Sequence, residues 1–172
     1  PATGAVTVGV LVQSNFGGTL RVTGTPVGDV VLRRMGEQEA AQDADRAGSC
    51  MIVVATDAPL EARNLRRLAA RALAGMARAG ASFSNGSGDY VIAFSTARSV
   101  RVWHGQDLVR SGPHLGNDAM TPLFAAVAEA TEEAILNSVL RATTVVGRDG
   151  HVARAIDGGV LREVLSQSAG AD

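Results

Sequence analysis

Apolar and polar residues alternate along this chain in blocks that predict strands and helices in turn. Residues 5–13 (AVTVGVLVQ) form a β-branched run with small residues between, the pattern of a strand buried on both faces. Ser14, Asn15, Phe16, Gly17 and Gly18 have turn chemistry, and 19–23 alternates again, so the two runs predict a hairpin closed by Pro26 and Gly28. Residues 29–49 turn polar and charged, with little apolar periodicity beyond Val30, Val31 and Leu32, and predict an exposed loop. A second buried strand follows at 50–55 (CMIVVA). Asp57 and Pro59 then suit the start of a helix over 59–79. Its apolar stripe is Leu65, Leu68, Ala69, Ala72, Leu73 and Met76, its arginines Arg63, Arg66, Arg67 and Arg71 lie towards the other side, and Gly80 stops it.

The second half repeats the alternation. The turn Asn85-Gly86-Ser87-Gly88 leads into a strand over 89–96, and 100–103 reads as its partner, followed by a loop over 104–119. Residues 120–142 form the second long helix, with Leu123, Phe124, Val127, Ala130, Ala134 and Ile135 near one face and Glu129, Glu132 and Glu133 on the other. A turn at 147–150, a short strand over 152–156 and a helix capped by Asp157 and running to Gln167 complete the chain, with a frayed tail over 168–172. The pattern is α/β: a single domain, 1–172, whose helices can cover only one face of a sheet. The other face needs a layer from another chain or from a copy of this one.

Composition narrows the chemistry. All 16 basic residues are arginine, which excludes lysine Schiff bases and a Ser-Lys dyad. Cys50 is the single cysteine and no CxxC or HExxH spacing occurs, so no structural zinc, metal centre or disulfide framework is expected. A net charge of −1 with 3% aromatic residues argues against nucleic-acid binding. No apolar run approaches the ~18 residues of a membrane span and no leader pattern is present, so a cytoplasmic location away from membranes is expected. The chain opens on Pro1 rather than Met, which reads as a processed or trimmed start.

Among possible reagents, Asn85, Gly86, Ser87, Gly88 and Asp89 stand out, because flexible backbone amides with Asn and Ser donors can cradle an anion or oxyanion. The spacing is neither a Walker A nor a dinucleotide fingerprint, and the competing reading is a tight turn. Glu132 and Glu133 point about 100° apart on a helix and do not share a site with each other, nor do they pair with Asp118. His104, His114 and His151 lack a carboxylate or serine at a telling distance, and Cys50 reads as core.

Several segments in order carry a resemblance: VTVGVLVQSNFG (6–17), TPVG (25–28), VVATDAPL (53–60), SNGSGDYVIAFSTA (84–97), NDAMTPLF (117–124), EATEEAILNSVLRA (129–142) and GRDGH (147–151). Together they resemble the β chain of the DmpA-like L-aminopeptidase/D-esterases, or β-peptidyl aminopeptidases. The resemblance implies an N-terminal nucleophile hydrolase: a precursor that cuts itself into α and β chains, an αββα sandwich built from both, and further assembly of αβ pairs. It implies no metal or organic cofactor, and substrates that are peptides, amides or esters with a free amine. The catalytic group is then an N-terminal serine, expected just upstream of Pro1 because residues 1–5 hold none, with Asn15, Asn85, Ser87 and Asp89 as supports near it. Two other readings remain: a relative of ornithine acetyltransferase, which passes its acyl group to an amine, and a non-catalytic subunit. Release of a free amino acid from a p-nitroanilide without acetyl-ornithine exchange separates the first from hydrolysis.

Overall fold

The computed structural model describes residues 5–36, 48–105 and 112–169. Its centre is a three-stranded sheet of β1 (Val8–Asn15), β4 (Ser49–Thr56) and β5 (Gly88–Ser95), in the order β1-β4-β5. β1 runs antiparallel to β4, and β5 runs parallel to it. The parallel pair needs a crossover, which α2 (Ala62–Arg78) supplies, packing on β5 while α3 (Met120–Leu140) packs on β1. One face of the sheet thus presents Val8, Val10, Val12, Cys50, Ile52, Val54, Val91 and Ala93 to Leu68, Ala72 and Met76 of α2 and to Leu123, Val127 and Ile135 of α3.

The opposite face is bare. Strand alternation places Leu11 (71% exposed), Met51, Tyr90 (66%), Ile92 (66%) and Phe94 there. β1 is accordingly half-buried on alternate residues, and not buried on both sides as its run of apolar residues predicts.

Three further differences have local causes. β1 does not fold back on 19–23. Gly18 and Gly80 meet so closely that a Cβ on Gly18 would lie 2.0 Å from the Gly80 carbonyl oxygen, and both have positive φ. Thr19 N donates to Gly80 O and Arg21 N to Ala79 O, tying the segment to the end of α2. The hairpin that does form is small: β2 (Arg21–Val22) with β3 (Thr25–Pro26). Within the stretch expected to be an exposed loop (29–49), Gly28–Arg34 is a helix, α1, because Val27 and Val31 bury against Leu161 and Val164 of α4 (Gly158–Ala169). Residues 37–47 of that stretch lie outside the described residues. Finally, the expected strand over 100–103 is absent. Arg98–Val100 is a 3-10 turn, and β5 takes β4 as its partner instead.

α2 also starts later than its proline suggests. Asp57 does not cap it but accepts from Thr7 N at 2.6 Å, while Ala58 N donates to Thr56 Oγ1 at 3.1 Å. Phe124, expected near the apolar face of α3, packs half-buried against the core and lies beneath the guanidinium groups of Arg67 and Arg71. The expected cap of α4 is present: Asp157 Oδ1 accepts from Gly159 N (2.7 Å) and Val160 N (3.1 Å). β6 (Val145–Val146) and β7 (Val152–Ala153) close the turn over 147–150.

Candidate active site

At one end of the sheet the register sets Asn15, Ser49 and Gly88 side by side on the bare face. The next row inward is Gln13, Met51 and Tyr90. Ser49 opens β4 directly after Gly48, and Gly88 is bare enough that a Cβ there would lie 3.4 Å from Ser49 Oγ. The Gly48 carbonyl oxygen accepts a hydrogen bond from Gly88 N at 3.2 Å. Gly48 is buried in a tight seat, since a Cβ on it would meet Asn15 O and Phe16 Cα at 2.8 Å and Gly17 N at 3.0 Å. A peptide carbonyl polarised by an N–H, with a serine hydroxyl on its C-terminal side, is an arrangement suited to acyl transfer.

The helix side of the same strand ends supports this row. Asp89 Oδ1 accepts from Cys50 N at 3.0 Å, and Ser87 Oγ donates to Asp89 Oδ2 at 2.9 Å. The turn ahead of β5 is therefore not an open anion cradle: Ser87 N is committed to Ser84 O, Gly88 N to Gly48 O and the Ser87 hydroxyl to Asp89. Its work is to lock β5 against the start of β4. Asn85 lies in the exposed turn two residues before Ser87.

Of the expected site residues, Asn15, Ser87 and Asp89 gather around Ser49, which sequence reasoning missed. The start of β1 is elsewhere. Val8 pairs with Thr56 at the opposite end of the sheet, seven residues from Asn15, or roughly 23 Å at the usual strand rise. The strand start at Val8, which follows the serine expected just upstream of Pro1, and the supports at Asn15, Ser87 and Asp89 thus lie at opposite ends of the sheet, while residues 1–4 lie outside the described residues. The overlooked signal was Gly48-Ser49 standing immediately before a strand.

Cys50, beside Ser49, is no substitute nucleophile. It is fully buried, and burial first, with the nearby Asp89 charge second, pushes its thiol up to about 11. A folded state that holds its proton this tightly loses stability as pH rises from about 9, where an unfolded thiol ionises, to about 11. Denaturation midpoints taken across that window should fall more steeply for the native protein than for Cys50→Ala. Equal slopes would show that the thiol is not held protonated.

His104, His114 and His151 are exposed, and Glu132 pairs with Arg78 at 3.8 Å, away from Ser49. At the sheet end, a cavity of about 220 Å³ is lined by Ser14, Asn15, Phe16, Leu20, Ile135 and Val139, a mixed apolar and polar space without an acid or base. Among the described residues no group of three or more His, Cys, Asp or Glu is placed to hold a metal ion, and no helix is long and apolar enough to cross a membrane.

The sequence profile of peptidase family S58 matches residues 1–153. The chain belongs to peptidase family S58. The β-peptidyl aminopeptidase BapA of Sphingosinicella microcystinivorans is 42% identical over 172 residues, covering 94% of the S58 chain and 43% of that relative. A solved Burkholderia sp. β-aminopeptidase superposes with a TM-score of 0.76 at 34% identity, over 94% of this chain and 44% of that one. The L-aminopeptidase D-Ala-esterase/amidase of Ochrobactrum anthropi, described as a prototype serine aminopeptidase and a new variant of the Ntn hydrolase fold, gives 0.73 at 28% identity, over 94% and 48%. The S58 chain therefore shares this fold, and it spans less than half the length of these relatives.

Proposed function

We propose that this chain is part of a self-processing serine aminopeptidase in which Ser49 is the nucleophile and the Gly48–Ser49 peptide is the bond that the precursor cuts. The observation that carries this reading is the Gly48 carbonyl, held by Gly88 N at 3.2 Å in front of Ser49. The Ser49 hydroxyl attacks the Gly48 carbonyl carbon, and the bond to Ser49 nitrogen breaks as that nitrogen gains the hydroxyl proton. Water then hydrolyses the resulting ester, which leaves a Gly48 carboxylate and a Ser49 with free hydroxyl and free amine. That amine is the base the chain otherwise lacks. On this reading the junction between α and β chains falls inside the sequence, and residues 1–48 belong to the α side. The nucleophile is then within the chain and not ahead of Pro1.

In turnover the substrate acyl group takes the place of Gly48. Its carbonyl oxygen receives the Gly88 N–H, and Asn15, on the same face, is placed to donate a second hydrogen bond. The Gly48 seat has no room for an L side chain next to the carbonyl. A β-amino acyl group, with a bare methylene there, suits it, in keeping with the name of the BapA relative. The leaving amine takes its proton from Ser49's ammonium, and water hydrolyses the acyl-enzyme. The remainder of the precursor covers the bare face and completes an αββα sandwich, which brings the row Asn15, Ser49 and Gly88 between layers. No observation favours transfer to a second amine.

The test is the intact mass and N-terminal sequence of the purified full-length protein. The expected fragment begins at Ser49. A single uncut chain, or a cut elsewhere with the Gly48–Ser49 bond intact, removes the basis for this reading.

A further inference from the structure

The wall of the Gly48 seat is backbone, and it stands on the turn that follows α2. A Cβ on Gly48 would meet Asn15 O and Phe16 Cα at 2.8 Å and Gly17 N at 3.0 Å, so these main-chain atoms are what a substituent on the acyl group would strike. Behind them, the Gly17 carbonyl oxygen accepts twice from one residue: from Ser82 N at 3.0 Å and from Ser82 Oγ at 2.9 Å. Both lone pairs of that oxygen are taken, which fixes Gly17 in place. The turn itself is anchored. Gly18 opposes Ala81 as an isolated antiparallel bridge, Thr19 N donates to Gly80 O at 3.1 Å, and Ala81 N donates at 3.2 Å to the carbonyl oxygen of Met76, a fully buried residue of α2. Directly after Ser82 the backbone is left-handed at Phe83, with φ 49°, a conformation that a non-glycine residue keeps only where its surroundings impose it.

We propose that Ser82 is a positioning residue for acyl selection: its hydroxyl stiffens the seat wall at Gly17 and so sharpens the preference for acyl groups with a bare methylene next to the carbonyl over those with an L side chain there. This rests on Ser49 being the nucleophile and on Gly48 marking the acyl position. An L side chain can enter only if the wall gives way, because contacts of a Cβ under 3.0 Å essentially do not occur. A bare methylene does not press on the wall and is indifferent to its stiffness. The Ser82 N–H supports Gly17 whatever side chain residue 82 carries, so the hydroxyl is the part of this support that the choice of serine adds. Ser82 acts through Gly17 and takes no part in the bond changes at Ser49.

The experiment uses the full-length precursor, native and as Ser82→Ala and Ser82→Thr, with the p-nitroanilides of β-alanine and L-alanine. The two acyl groups are isomers with one leaving group, and only L-alanyl carries a methyl where a Cβ on Gly48 would lie. In Ser82→Ala the ratio of kcat/KM for β-alanyl over L-alanyl should fall about twofold to tenfold, the range expected for one lost hydrogen bond, because the L-alanyl substrate gains. Ser82→Thr keeps the hydroxyl and should keep the ratio. Cleavage at Gly48–Ser49 should survive in both variants, since Gly48 has no Cβ to press on the wall. A ratio that stays or rises in Ser82→Ala, an equal change on both substrates, a fall in Ser82→Thr as large as in Ser82→Ala, or an uncut Ser82→Ala chain overturns the positioning role while leaving Ser49 as the nucleophile. Turnover that survives Ser49→Ala overturns the underlying reading instead.

Discussion

Replacing Ser49 by alanine should leave the precursor uncut and lower amide hydrolysis by at least about 10⁴-fold, the scale on which enzymes lose rate when an essential nucleophile is removed and only binding and oxyanion contacts remain. On the proposed reading the two losses come together for one reason: the hydroxyl that opens the Gly48–Ser49 bond is also the one that takes up each substrate acyl group. No neighbour can stand in for it. Cys50 is buried on the helix side with its thiol pushed up to about 11, and Ser87 donates to Asp89. Gel mobility and initial rates on an amide substrate read both effects on the same preparation. A cut that persists in the alanine variant, or a rate within tenfold of native, would sink the assignment.

The second large effect is expected far from the chemistry, at Gly75→Ala. In an exposed helix this change gains up to about 1 kcal/mol of propensity. Here α2 crosses α3 at Gly75, and an added Cβ would lie 2.3 Å from Ala128 O, 2.7 Å from Thr131 Cβ and 3.0 Å from Glu132 N. Two of these are backbone atoms that no rotamer change can move. The Thr131 hydroxyl is also held, donating to Val127 O at 2.7 Å. The helices must separate, which costs about 2–3 kcal/mol and should lower the melting temperature by roughly 4–12 °C in a chain of this size. Ala74→Gly, next to it on the exposed side, should cost only the propensity. A Gly75→Ala protein that melts at or above the native temperature would contradict the packing.

What could be read from the sequence divides along the range of the interactions involved. The stripe of α2, the length of α3, the Asp157 cap and the three strands of the main sheet are set by neighbours within a few residues, and all were legible. Strand partnership was not. A period-two run marks β1 as a strand but does not name β4, beyond the intervening α1, as its partner over the nearer 19–23. α1 escaped notice because its burial depends on Val27 and Val31 meeting Leu161 and Val164 from the other end of the chain. The site shows the same split. Asn15, Ser87 and Asp89 are choices of residue type, and that they lie at the strand end holding Ser49 is fixed by register: Asn15 opposite Ser49, and Ser49 opposite Gly88. Without that register, Ser49 was only the last residue of a polar stretch.

The hydrogen bond from Gly88 N to the Gly48 carbonyl joins groups 40 positions apart along the chain, and it exists only when β5 has docked beside β4. The bond proposed for cleavage is therefore polarised by the finished sheet and not by its own neighbourhood. Under the proposed self-cleavage, the cut works as a proofreading step: a chain that has misplaced β5 keeps its amine locked in a peptide and stays inert. On that reading each cut molecule carries, in its new terminus, a permanent record that it once folded correctly.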